Sequence, residues 1–255
     1  MGLGCQATSV KPCIDLVKRG RCTLVTTLQM FKILGLNCLS TAYVLSVQYL
    51  DGVKLGDTQA TITGMLTALM FLFISHAEPL ERLSHQRPYS SIFCPYFILS
   101  ILLQFTSHIA FLIISVQGAV SFMPEGLTRD PDGDFAPNMV NTISWLVNMQ
   151  ITICTFAVNY YGAPFNTPLT SNYPLLAAVV VGSGLFAAVV SDGIPGLAEY
   201  LELVPVPAAF RLQMLGMATV DFLFCFSVER FLRWKFPMKG SSIAHTMQPG
   251  KPSRA

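Results

Sequence analysis

Apolar residues gather in six long runs separated by turn-rich polar links. The runs cover Leu24 to Leu50, Thr58 to Ser75, Ile92 to Val116, Met139 to Tyr161, Tyr173 to Ser191 and Ala208 to Val228, and each is between 18 and 27 residues long. A helix needs roughly 18 to 20 apolar residues to cross a hydrocarbon core of ~30 Å. One such run could be a buried helix of a soluble core, but six exceed what one core absorbs. The pattern predicts an all-α, polytopic membrane protein with six transmembrane helices. It divides the chain into a leading segment at 1–23, a membrane domain at 24–228 and a basic tail at 229–255.

Composition sharpens this reading. AVILMFWYC residues make up 52% of the 255 positions and charged residues 12%, whereas soluble domains carry about a quarter charged residues. The seven cysteines, Cys5, Cys13, Cys22, Cys38, Cys94, Cys154 and Cys225, show no C-x-x-C spacing. Neither a zinc site nor a disulfide frame is indicated, and small packing residues are expected. There is no N-x-[ST] sequon, and Met1 to Ser9 lacks the basic-then-apolar order of a cleaved signal peptide. Gln6 stands where N-myristoylation after Gly2 wants Ser or Thr.

Charge adds an orientation. Six spans put both termini on one side, and twelve Lys and Arg residues fall there. The other side and its margins hold three, Lys54, Arg129 and Arg211. The positive-inside rule then places both termini in the cytoplasm. The opposite face is acidic, with Asp51, Asp57, Glu125, Asp130, Asp132 and Asp134 among its residues. It reads as a solvated loop surface, with a cation antechamber as the alternative. Arg230, Arg233, Lys235 and Lys239 interleave with Phe231, Trp234 and Phe236 just past the last run. This composition suits anchorage in the headgroup layer, and no nucleic-acid partner is expected. From Gly240 onward Ser, Pro and Gly predict disorder.

Chemistry rests on the polar residues tolerated at membrane depth. Gln29, Lys32, Ser40 and Tyr43 share one face of the first helix, and Thr26, Asn37 and Thr41 form a second stripe. A helix with two polar stripes is expected at the centre of a bundle. Lys32 lies roughly 12 Å past Leu24 at 1.5 Å per residue, so it either snorkels to the interface or meets a cavity or a buried acid. Asp221 stands deep in the last run, where a carboxylate marks a functional site or caps a neighbour's polar group. A Lys32 to Asp221 pair is the specific expectation. Asn148, Gln150, Thr152 and Asn159 of the fourth run and Gln104 and His108 of the third read as interhelical hydrogen-bonders, each bond worth about 0.6 kcal/mol. P-loop, dinucleotide-binding, nucleophile-elbow and H-E-x-x-H motifs are all missing. No catalytic or metal residue is assigned, and this polypeptide alone should not hydrolyse ATP.

The stretch Lys18-Arg-Gly-Arg-Cys-Thr-Leu-Val-Thr-Thr-Leu-Gln-Met-Phe-Lys-Ile-Leu34 resembles the fifth transmembrane helix, with the end of its cytoplasmic stalk, of the type-5A P-type ATPases of the endoplasmic reticulum. The likeness continues through Tyr49-Leu-Asp-Gly-Val-Lys54, Phe71-Leu-Phe-Ile-Ser75, Leu103-Gln-Phe105, Thr155-Phe-Ala-Val-Asn-Tyr160, Pro164-Phe165 and Asp221-Phe222. The resemblance implies an ATP-driven translocase that phosphorylates an aspartate, with ATP and Mg²⁺ as cofactors of the full-length protein and none in this chain. It implies residence in the endoplasmic reticulum membrane and, as partners, the lipid bilayer, client transmembrane helices and a missing N-terminal half. The D-K-T-G-T motif, the nucleotide-binding domain and the first four helices of the family are absent, so the chain reads as a C-terminal fragment. By position, Gln29, Lys32, Asn37 and Ser40 should border the substrate path. Asn148, Gln150 and Asp221 are further candidates. A manganese site wants several oxygen ligands, and Asp221 is the carboxylate within the six runs. That favours helix translocation over cation transport; a third reading is a non-enzymatic membrane protein that binds helices or partners.

Overall fold

A computed structural model describes residues 10–123 and 135–238. Seven α-helices occur in it: α1 Lys11–Leu50, α2 Asp57–Ser75, α3 Pro95–Val120, α4 Met139–Asn159, α5 Tyr173–Ser191, the short α6 Leu197–Tyr200, and α7 Ala208–Lys235. The six long helices coincide with the six apolar runs, and their ends follow local chemistry. The Asn138 side chain caps α4 by accepting from Asn141 N at 2.8 Å, and Asn172 caps α5 through Leu175 N at 3.2 Å. Proline opens α3, because it needs no helical partner for the N–H it lacks and brings a helical φ. That start leaves Ile92 to Cys94 outside the helix.

Two helices outrun the sequence boundaries. α1 begins at Lys11, so the leading segment is helical and continuous with the first run. α7 continues past Val228 to Lys235, because Glu229 is not the first residue of a solvated tail: it is 1% exposed. The disorder expected beyond Gly240, and the segment Met1 to Ser9, lie outside the described residues.

Five of the long helices, all except α4, are long and apolar enough to cross a membrane. They turn residues such as Leu102, Val180, Val181, Leu212 and Val220 outward, the arrangement a lipid-facing surface requires. α4 has the length but carries Asn141, Asn148, Gln150 and Asn159 along with four hydroxyl-bearing residues. It occupies the middle of the bundle: every one of its residues but Ala157 is buried, and it packs against α1, α2, α3, α5 and α7. This corrects the expectation that the first helix is central. α1 lies beside α4, packs also against α3 and α2, and touches α7 through the Lys32 side chain.

The two ends of the bundle are tied by polar contacts. At one end Gln59 Nε2 donates to Asn141 Oδ1 at 2.9 Å and Asn141 Nδ2 to Lys54 O at 2.7 Å. Val204 N donates to Thr142 Oγ1 at 2.9 Å. At the other end an Arg21 guanidinium nitrogen donates to Ser84 O at 2.6 Å, and Pro79 and Asn166 form an isolated antiparallel bridge. Tyr89 donates its hydroxyl to Phe236 O at 2.6 Å. Burial pushes this phenol up from its ordinary value, so it stays protonated and keeps donating.

Two glycines of these helices differ in their surroundings. A Cβ on Gly118 of α3 would stand 2.6 Å from the buried Phe210 ring of α7, whereas one on Gly35 of α1 would meet nothing within 4 Å. Gly118→Ala should therefore destabilise the detergent-solubilised protein by about 1 to 3 kcal/mol. Gly35→Ala should be neutral or stabilising by up to about 1 kcal/mol, since alanine is the better helix former. Melting temperatures of the two variants, ordered oppositely to this, would overturn the α3–α7 packing.

Candidate functional site

The polar stripes of α1 lead to a groove of about 470 Å³ among α1, α2 and α4, walled in part by Thr41, Gln48, Thr63, Trp145 and Asn148. Helical spacing puts Thr41 and Gln48 on one side of α1, two turns apart. The Thr41 hydroxyl donates to Asn148 Oδ1 at 3.3 Å, and Trp145 Nε1 donates to Thr63 Oγ1 at 2.9 Å. Gln48 is 1% exposed, yet neither end of its amide has a hydrogen-bond partner among the described residues. On the same helix both amide atoms of Asn37 and the Ser40 hydroxyl are buried and without such a partner. Burying an unpaired amide is costly, and buried polar groups are nearly always paired. Of these residues Gln48 walls the groove, and Asn37 and Ser40 do not. The described residues that wall the groove include no carboxylate.

Lys32 leaves this surface and enters a buried ion cluster. Its ammonium donates to Glu229 Oε2 at 2.7 Å, with both side chains 2% exposed. The same carboxylate accepts from Ser100 Oγ at 2.6 Å, Gln104 Nε2 at 3.2 Å, Arg233 Nε at 2.9 Å and the Tyr96 hydroxyl. Lys32 Nζ also sits 4.9 Å from the centre of the Tyr96 ring, a cation–π contact. Gln104 and Asn159 exchange reciprocal amide bonds of 3.1 and 2.9 Å, which joins α4 to the cluster. Arg233 also donates to Tyr160 O at 3.2 Å and stacks on Tyr161.

Asp221 is elsewhere. His108 Nδ1 lies 2.9 Å from its Oδ2 and Ser107 Oγ donates to its Oδ1 at 2.7 Å, so it faces α3 and not α1. The expected Lys32 to Asp221 pair is thus wrong. Glu229 lies two turns nearer the C-terminal end of α7, at the level where antiparallel α1 brings Lys32. Glu229 also joins Asp221 as a second buried carboxylate among the described residues.

No family profile matches the chain. Curated relatives do match, along nearly all of it. A probable manganese-transporting ATPase of Arabidopsis thaliana, PDR2, is 54% identical over 237 residues, 93% of this chain and 20% of that protein. The endoplasmic reticulum transmembrane helix translocase of Saccharomyces cerevisiae is 39% identical over 228 residues, 89% of this chain and 19% of its own. The chain is homologous to the type-5A P-type ATPases. It spans about a fifth of the length of these relatives. Human polyamine-transporting ATPase 13A2 is more distant, at 30% identity over 234 residues, 86% of this chain and 19% of that protein.

The seven residues singled out from sequence fall into separate places. Asn148 walls the groove. Asn37 and Ser40 are buried along α1. Gln29 is buried nearer the start of α1, where its Oε1 accepts from Tyr161 N at 2.7 Å. Gln150 sits two residues from Asn148, roughly 200° around α4, and does not wall the groove. Lys32 and Asp221 belong to the ion cluster and to the His108 contact. Sequence reading passed over Gln48 and Glu229: Gln48 was one amide among many in the first run, and Glu229 adjoined Arg230 at a boundary drawn one residue too early.

The ion cluster predicts an asymmetry between partners. Glu229→Ala strands Lys32 and Arg233 without their counter-charge and should cost about 3 to 5 kcal/mol. Lys32→Ala leaves Glu229 with Arg233 and three neutral donors and should cost distinctly less. Thermal denaturation of each variant in detergent reads the difference; equal losses would contradict the described geometry.

Proposed function

We propose that this chain forms the cargo-contacting part of the membrane domain of an ATP-driven P-type translocase of the endoplasmic reticulum, and that its cargo is a transmembrane helix. The observation that carries this reading is the groove among α1, α2 and α4, with the unpaired Gln48 amide and no carboxylate in its described wall. A transmembrane helix keeps its backbone bonded within itself and presents mostly apolar side chains with occasional polar ones. A wall of Val44, Leu45, Leu55 and Phe71 punctuated by Thr41, Gln48 and Asn148 suits such a surface. ATP and Mg²⁺ would act on polypeptide outside this chain, with both termini of the segment on the cytoplasmic side, as the Lys and Arg distribution favours.

The name of the Arabidopsis relative supports a second reading, manganese transport. Manganese prefers several oxygen ligands, carboxylates above all, and the groove offers hydroxyls and amides.

A photo-crosslinking residue at Thr41 or Ala68, in microsomes containing the polypeptide that carries this sequence, distinguishes the two. Adducts to a model single-span client that diminish on ATP addition, and none from the outward-facing Leu212, are expected. Client adducts that ignore ATP, or manganese uptake that collapses on Asn148→Ala, would overturn helix translocation. An antibody against residues 240–255 should detect a product several times larger than the 27.9 kDa chain; a band near that mass would mean that the segment acts without an attached ATPase.

A further inference from the structure

Away from the groove, α3, α4 and α7 bring together His108, Cys154, Asp221 and Cys225. All four are buried, and one candidate ligand atom from each lies within 4.8 Å of the others. Cys225 Sγ is 3.9 Å from His108 Nε2 and 3.9 Å from Asp221 Oδ1. Ligand atoms around a tetrahedral zinc ion, bonded at about 2.0 to 2.3 Å, stand roughly 3.3 to 3.8 Å apart, so small side-chain adjustments suffice.

The hydrogen bonds already orient the donors. Asp221 Oδ2, 2.9 Å from His108 Nδ1, fixes the tautomer that leaves Nε2 as the free lone pair on the thiol side. Asp221 is itself held by Ser107 Oγ at 2.7 Å. A carboxylate behind a ligating histidine is the usual support of a zinc imidazole. A groove of about 400 Å³ between α3 and α7, walled in part by Ser107, Phe111, Met217 and Asp221, reaches the Asp221 side of the cluster.

We propose that Cys154 Sγ, Cys225 Sγ and His108 Nε2 bind a thiophilic metal ion, zinc by preference, with Asp221 as the positioning residue. Binding exchanges two thiol protons for one divalent cation, and the two thiolates cancel its charge. The site therefore adds no net charge to the bundle interior, where an unbalanced ion is expensive. Thiolate and imidazole donors select zinc or copper(I) over manganese, so this site is not a cargo site of the manganese reading. Its effect is to staple α3, α4 and α7 where no hydrophobic force between helices holds them.

The test uses the full polypeptide carrying this sequence, purified in detergent with zinc present and then freed of loose metal. Metal analysis should find zinc, and zinc-edge X-ray absorption of the wild type should show two sulfur neighbours at about 2.3 Å and a nitrogen at about 2.0 to 2.1 Å. Cys154→Ser and Cys225→Ser should each lose one sulfur from that shell or about one equivalent of zinc, while Cys38→Ser, at an exposed cysteine, keeps both. Asp221→Asn should weaken zinc retention roughly 10- to 100-fold against a competing chelator while leaving the two-sulfur shell intact. An oxygen-only shell, no retained zinc, unaltered zinc in both cysteine variants, or a Cys154–Cys225 disulfide found by mass spectrometry would overturn the proposal. The wild-type absorption spectrum decides even if a cysteine variant fails to fold.

Discussion

The Glu229 carboxylate is the point through which the bundle is held in register. Its two oxygens accept from Lys32 on α1, from Tyr96, Ser100 and Gln104 on α3, and from Arg233 on its own helix. In such a cluster the two cations, Lys32 and Arg233, share one carboxylate, whose remaining lone pairs are taken by neutral donors, so removing the carboxylate would leave both cations uncompensated. It also fixes where α1 crosses its neighbours. At 1.5 Å per residue the 40 residues of α1 extend about 60 Å, well beyond the membrane core, with Lys32 anchored to the cluster between the Lys11 end and the groove at Thr41 and Gln48.

Specificity elsewhere comes from α4, whose polar side chains are distributed among different neighbours. Asn141 meets Gln59 and the Lys54 carbonyl, Trp145 meets Thr63, Asn148 meets Thr41, and Asn159 meets Gln104. Lipid tails are as apolar as leucine, so apolar contact alone would not choose one rotation of α4 over another. Directional hydrogen bonds on several sides do choose, and they leave the groove among α1, α2 and α4 in a defined shape.

Much of this was legible in the sequence, for identifiable reasons. The six helices follow from run length, which also put the starts of α4 and α5 at Met139 and Tyr173. The polar stripes on α1 follow from a 100° turn per residue, and the stretch from Lys18 to Leu34 pointed to the type-5A ATPases. What escaped were pairings between distant segments. A charge at the edge of an apolar run looks the same whether the helix ends or continues into a buried partner, which is why Glu229 was assigned to the tail and Lys32 matched to Asp221. The centrality of α4 was missed because polar content was weighed on one helix at a time. Cys154 and Cys225 lie on different helices, with His108 on a third, so no local spacing could announce their meeting.

The polarity of α4 makes its place in the bundle conditional on its neighbours. Alone in lipid, a helix carrying Asn141, Asn148, Gln150 and Asn159 would leave side-chain amides without partners, a cost its apolar residues would have to offset. Within the bundle Asn141, Asn148 and Asn159 find those partners on α2, α1 and α3. The interior helix is thus tied to three elements that precede it in the chain.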